Sequence, residues 1–198
     1  MDSNKTPNEE PFQYCGTNHV ALVCRDMAET VAFYDGLLGM KLVKTLELPN
    51  GRGQHFFFDC GNGNHVAFFW FPNAPEAAPG IASMHRDYAT KGTQTAHASM
   101  NHLAIGIPLE KFDEYAERLQ KKGLNLRILN HNDGPEHSSA VVTRDTWIRS
   151  MYFDDPNGIH MELAAFTRPF NASDVRHAPV NAKGEPVPVG GKAVENAA

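Results

Sequence analysis

Three residues in this chain have the types and the setting to hold a metal ion: His19, His102 and Glu162. Each histidine opens a strand-like run just behind an asparagine, Asn18-His19-Val20-Ala21-Leu22 and Asn101-His102-Leu103-Ala104-Ile105. Strand alternation sends His19, Ala21 and Val23 to one face, and His102, Ala104 and Gly106 to the matching face of the second run. His160, Glu162 and Ala164 share a face of a later run. If the two runs are pseudo-symmetric halves of one sheet, the histidines meet across the approximate axis and Glu162 joins them. Two imidazoles and one carboxylate leave open positions on a divalent ion, which suits Fe(II) oxygen chemistry, with Mn(II) as the other candidate.

The elements that must position these residues occur twice. FDCGNGNHVAFFWF (58–71) lies without a gap on FDDPNGIHMELAAF (153–166), sharing the Phe-Asp pair, the Asn-Gly turn, a following His and the closing Phe. Two matches in the same order indicate internal duplication, which sets the architecture. Each copy reads as strand, helix and three strands. Asp26 can cap a first helix with Glu29 as capping-box partner, and Met27, Val31, Tyr34 and Leu38 fall on one face before Gly39. The second helix begins at Pro108, carries Phe112, Tyr115, Ala116 and Leu119 as its apolar stripe, and stops at Gly123. Strands are predicted over 41–48, 54–60, 65–71, 124–129, 147–153 and 159–166. The expected organisation is a flexible stretch 1–14, a first βαβββ module 15–72, a linker or lid loop 73–99, a second module 100–167 and an extended, mobile C-terminal arm 168–198.

Bulk composition narrows the function classes. With 198 residues, a formal net charge of −5 and scattered rather than striped Lys and Arg, the chain offers no footprint for nucleic acid or an anionic membrane. No apolar run is long enough to span a bilayer, and the first ten residues lack the apolar core of a signal peptide. Three cysteines, without a paired-Cys motif, fit free thiols in a cytoplasmic protein.

The segments NHVALVCRDMAETVAFYDGLLGMKLV, MNHLAIGIPLEKFDEYAERLQKKGL and MYFDDPNGIHMEL resemble the vicinal-oxygen-chelate superfamily of glyoxalases, bleomycin-resistance proteins and extradiol dioxygenases. The resemblance implies an α+β fold in which two tandem βαβββ modules form an eight-stranded, cup-shaped mixed sheet around a metal. It also separates the chemistries. Glyoxalase-type lyases and related isomerases take a fourth protein ligand, and its place in the first module is held here by Ala67. Fosfomycin-type transferases need a cationic pocket, and the two closing strands carry no Arg or Lys. Bleomycin-type binders lack the triad. What remains is a small extradiol catechol dioxygenase acting on an aromatic substrate and dioxygen. The alternatives are a metal-dependent lyase or isomerase and a non-catalytic small-molecule binder. Such proteins often pair, so a homodimer is expected. By the same resemblance Tyr152 hydrogen-bonds substrate and His65 is the acid–base histidine. Phe69 and its neighbours supply an apolar substrate wall, with His160 on the Glu162 face as a second cleft histidine. The family's further histidine is missing from the window Thr143-Arg144-Asp145.

Overall fold

The computed structural model describes residues 13–187. Residues 1–12 and 188–198, and the expectations of a flexible start and a mobile end that fall on them, lie outside the described residues. Two compact units divide the chain, residues 1–167 and 168–198.

In the first unit the elements run β1 (His19–Cys24), α1 (Met27–Val31), β2 (Leu42–Leu48), β3 (Gly53–Gly61) and β4 (Asn64–Trp70). After a short helix, α2 (Tyr88–Lys91), the same series returns as β5 (Leu103–Gly106), α3 (Phe112–Lys121), β6 (Arg127–Asn132), β7 (Ser138–Ser139), β8 (Thr146–Asp154) and β9 (His160–Phe166). The strands form two sheets, β1-β4-β3-β2 and β5-β9-β8-β6-β7, rather than the single sheet expected; the two-residue β7 is the extra strand. In each sheet the module's first strand pairs in parallel with its last, and the other pairings are antiparallel. The expected α+β fold of two βαβββ modules is thus the one adopted.

Local chemistry explains the helices. Asp26 has an extended backbone and its carboxylate accepts from the Glu29 backbone N–H at 2.9 Å, as an N-cap should. Glu29 does not complete a capping box; its carboxylate pairs with Arg25 at 3.1 Å. A continuous helix to Leu38 is not what forms. Beyond Val31 the coil widens to a π-helix over Ala32–Leu37, closed by a Leu38 N–H to Phe33 carbonyl bond of 2.9 Å. Within this wider turn Phe33 and Tyr34 sit side by side, and Phe33 packs towards Phe153 of the second module. Gly39 then turns the chain with φ +76°. In the second module Pro108 precedes a 3-10 turn, Leu109–Lys111, and α3 follows with Phe112, Ala116 and Leu119 buried.

Each sheet has a helix-facing side and an open side. Val66, Phe58 and Phe68 of the first sheet join Met151, Phe153, Met161 and Leu163 of the second, together with Tyr34 and Phe112, in one apolar core. The residues that alternate with them, including every proposed ligand, occupy the open sides. The linker carries Ser83 and Met84 into buried positions, with the Ser83 hydroxyl 3.4 Å from the backbone N–H of His160. Within the second unit Asn171 and Asp174 form a reciprocal cap on a 3-10 turn, and Arg168 pairs with Asp174 at 2.5 Å. Among the described residues no helix is long and apolar enough to cross a membrane.

A polar contact inside the core ties the two modules. Tyr34, fully buried on the π-helix, donates its hydroxyl to Asp155 at 3.2 Å. Asp155, also buried, accepts the Ile159 N–H at 2.8 Å and the Asn157 amide at 3.0 Å. Removing the carboxylate strands several buried donors at once, each costing about 1–3 kcal/mol. Asp155→Ala should therefore destabilise the protein by about 3 kcal/mol or more, and Tyr34→Phe by about 1 kcal/mol. Urea unfolding checks both; a loss below about 1 kcal/mol for Asp155→Ala would show that the contact does not hold the modules together.

Candidate metal centre

Glu162 lies near the middle of β9, flanked by β5 and β8, with Ala104 and Tyr152 as its register partners. It is only 5% exposed. A carboxylate so placed requires partners, and it has them: the Ser150 hydroxyl donates to one oxygen at 2.5 Å, and His102 Nε2 stands 3.0 Å from the other. Burial pushes the Glu162 carboxyl up, but the hydrogen bonds from His102 and Ser150 outweigh it and hold the group below the usual range. His102 moves the other way, its pKa raised by its hydrogen bond to Glu162.

The ring of His102 is oriented by its neighbour. Its Nδ1 faces the Asn101 side-chain oxygen at 2.9 Å, and in the first module His19 Nδ1 faces the Asn18 oxygen at 2.8 Å. An amide oxygen only accepts, so Nδ1 carries the hydrogen and Nε2 is left for a ligand or a proton. This is the fixing of tautomer that metal-bound histidines require. The bond to Glu162 takes up His102 Nε2, the same atom that would face a cation. Two donors bound at right angles to one ion, each at about 2.1 Å, stand about 3.0 Å apart, so the pair fits an imidazole and a carboxylate sharing a divalent ion.

The third expected ligand is not gathered with them. His19 is exposed on β1, edge-on to Phe57 at 5.4 Å. Among the described residues no three His, Cys, Asp or Glu side chains converge closely enough to hold an ion. The repeat is nonetheless visible in the registers: Ala21 lies beside Ala67 where Ala104 lies beside Glu162. Ala67 thus occupies the position equivalent to the carboxylate.

The other expected site residues divide between the two sheets. His65 is the register partner of His19 on β4, edge-on to Phe57 at 6.4 Å. Phe69 stacks between His55, at 3.6 Å, and Phe71, at 5.3 Å, on the open side of the first sheet. Tyr152 and His160 lie on the open side of the second sheet, near the ligand pair. Their rings are parallel at 5.4 Å, and His160 Nδ1 is 2.8 Å from the Asp154 carboxylate. Burial, followed by the charge of Glu162, pushes the Tyr152 phenol up to about 12, so it stays a neutral donor.

Sequence reasoning overlooked His131. It sits on β6 with Nε2 at 3.0 Å from the Tyr152 hydroxyl, and burial lowers its pKa. Alternation along Arg127–Asn132 could have put His131 and Arg127 on one face, but only the β6–β8 register reveals that this face is that of Tyr152. A histidine was sought just before Tyr152 in the chain, whereas it comes from the neighbouring strand.

Comparison with known proteins agrees with the fold. Over 115 residues the chain is 29% identical to MhqE of Bacillus subtilis (strain 168), which bears the name of a ring-cleaving dioxygenase; the match covers 56% of this chain but only 33% of MhqE. It is 23% identical to the lactoylglutathione lyase of Salmonella typhimurium, over 73% of this chain and 88% of that one. Among solved structures, a glyoxalase/dioxygenase from Nostoc punctiforme shares the fold with a TM-score of 0.52 and 21% identity, covering 85% of this chain and 99% of that one. A glyoxalase family protein from Enterococcus faecalis aligns with a TM-score of 0.52 and 19% identity, over 75% of this chain and 96% of that one. The family described as Glyoxalase/Bleomycin resistance protein/Dioxygenase superfamily matches residues 16–163, the stretch that holds both modules and the ligand pair, and the chain belongs to it.

Proposed function

We propose that the protein is an extradiol ring-cleaving dioxygenase of a catechol-type substrate, with His102 and Glu162 as two of three ligands to Fe(II) and His19 as the third. The single observation that carries this reading is the His102–Glu162 pair, a buried carboxylate met by an exposed imidazole, with each histidine of the repeat oriented by its own asparagine. Because no third donor converges among the described residues, we assign the completing His19 to a second copy in a homodimer. The ion, when bound, supplies Lewis acidity and a template for catechol oxygens and dioxygen.

The chain's own residues have distinct tasks. Glu162 and His102 fix the ion at the open side of the second sheet, and Ser150 orients the carboxylate. Tyr152, neutral at any working pH, donates a hydrogen bond to a substrate oxygen. His131, with its lowered pKa, is available as the base that takes a catechol proton and later returns it. His65, which lies beside His19 in the first sheet and would arrive with it, is the other candidate for this role. The lyase reading keeps one argument, the broad coverage of the lactoylglutathione lyase. Ala67 at the fourth-ligand position counts against it.

Replacement of His19, His102 or Glu162 by Ala should each weaken Mn(II) or anaerobic Fe(II) binding by more than the roughly 10–100-fold typical of losing an outer partner. His55→Ala should leave it unchanged. An equimolar mixture of the His19→Ala and Glu162→Ala proteins, refolded together, should regain metal at a fraction of the sites. Wild-type affinity in His102→Ala or Glu162→Ala would remove the metal centre, and no regain in the mixture would place the triad within one chain. For catalysis, His131→Phe should slow catechol cleavage by roughly 10²–10⁴-fold at unchanged iron content. Tyr152→Phe should cost about 1–3 kcal/mol of transition-state stabilisation. If His65→Phe shows the larger rate loss instead, the acid–base role belongs to His65.

A further inference from the structure

Beyond Tyr152 the open side of the second sheet runs into a cavity of about 290 Å³. Its lining includes two guanidinium groups from separate parts of the chain, Arg86 of the linker and Arg127 at the start of β6. Arg86 is held in place by the backbone: one terminal nitrogen donates to the Asp155 carbonyl at 3.3 Å and lies 3.4 Å from the Pro156 carbonyl. It packs on Gly158, whose φ of +85° turns the β8–β9 connection beneath it. Arg127 is the register partner of Tyr152. One carboxylate lines the cavity, that of Asp154, and it is engaged by His160 at 2.8 Å. The rest of the lining is Leu124, Asn125 and Phe153 with the stacked rings of Tyr152 and His160.

Two arginines against one committed carboxylate leave the cavity cationic. The fork of a guanidinium matches a carboxylate in two parallel hydrogen bonds. The apolar and aromatic side chains beside it, Leu124, Phe153 and Tyr152, favour an aromatic ring over a bare ion. The volume is at the lower end of ligand pockets, about 300 Å³, and suits a single ring's substituent rather than an extended molecule. We propose that this cavity is a carboxylate subsite, so that the substrate is an anionic aromatic: a catechol bearing a carboxylate, its ring against Tyr152 and its acid group between Arg86 and Arg127. This rests on the reading of Tyr152 as a substrate-facing residue. It also explains how a family face whose closing strands lack Arg and Lys obtains positive charge, from β6 and the linker.

The test reads binding alone, on metal-free full-length protein, by calorimetry or by ligand-detected NMR with benzoate, benzamide and inorganic phosphate. Benzoate should bind at least tenfold more tightly than benzamide and than phosphate. Arg127→Gln and Arg86→Gln should each remove that preference while leaving benzamide binding unchanged, and Arg127→Lys should keep part of it. Equal binding of benzoate and benzamide, or wild-type benzoate binding in both Gln variants, would overturn the subsite. Phosphate binding as tight as benzoate would overturn the aromatic part. Absence of ring cleavage in a separate turnover assay would remove the dioxygenase reading and leave this binding result standing.

Discussion

A carboxylate buried in the open face of a sheet constrains everything around it. Glu162 has almost no access to water, and an isolated charge there would be expelled or neutralised. It stays ionised because β5, β8 and β9 bring His102 and Ser150 within hydrogen-bond reach and put the Tyr152 phenol on the adjoining strand. These partners come from both sides of β9, so a one-residue slip in either register would turn them to the core side and leave the charge bare. The short β5, just four residues, has to be placed correctly for the same reason.

Duplication explains why the two sheets differ as they do. Registers are equivalent in both modules, yet Ala67 stands where Glu162 does in the second. Without a carboxylate to solvate, the first sheet's open side became largely aromatic, with His55, Phe57, Phe69 and Phe71 in mutual contact. His19 keeps its asparagine support on that side, which is hard to account for in a residue that serves packing alone. One module thus presents the His102–Glu162 pair and the other an oriented, exposed imidazole, and the proposed ligand set is complete only when both faces meet.

The secondary structure was legible because its signals are local. Asp26, Gly39, Pro108 and Gly123 mark helix ends through backbone geometry that needs no partner, and strand alternation sorted His102 with Ala104 and His160 with Glu162. Less was legible where packing decides. The π-turn of Ala32–Leu37 answers to the space between two sheets, which the apolar stripe of one helix cannot report. The division into two sheets overrode the expected single one, so the meeting of His19 with His102 and Glu162 did not follow from symmetry. His131 and Arg127 were missed because they reach Tyr152 across the β6–β8 pairing. Arg86 reaches the same neighbourhood from the linker, which has almost no regular structure and left no periodic signal.

The central claim is that two imidazoles and one carboxylate meet on a single ion. X-ray absorption of the protein loaded anaerobically with one equivalent of Fe(II) measures this directly, since imidazole rings scatter with a pattern that carboxylates and water lack. Two imidazoles in an oxygen- and nitrogen-only shell at about 2.0–2.2 Å are expected, falling to one in His19→Ala. A wild-type spectrum with one imidazole or none, or one unaltered by His19→Ala, would contradict the account.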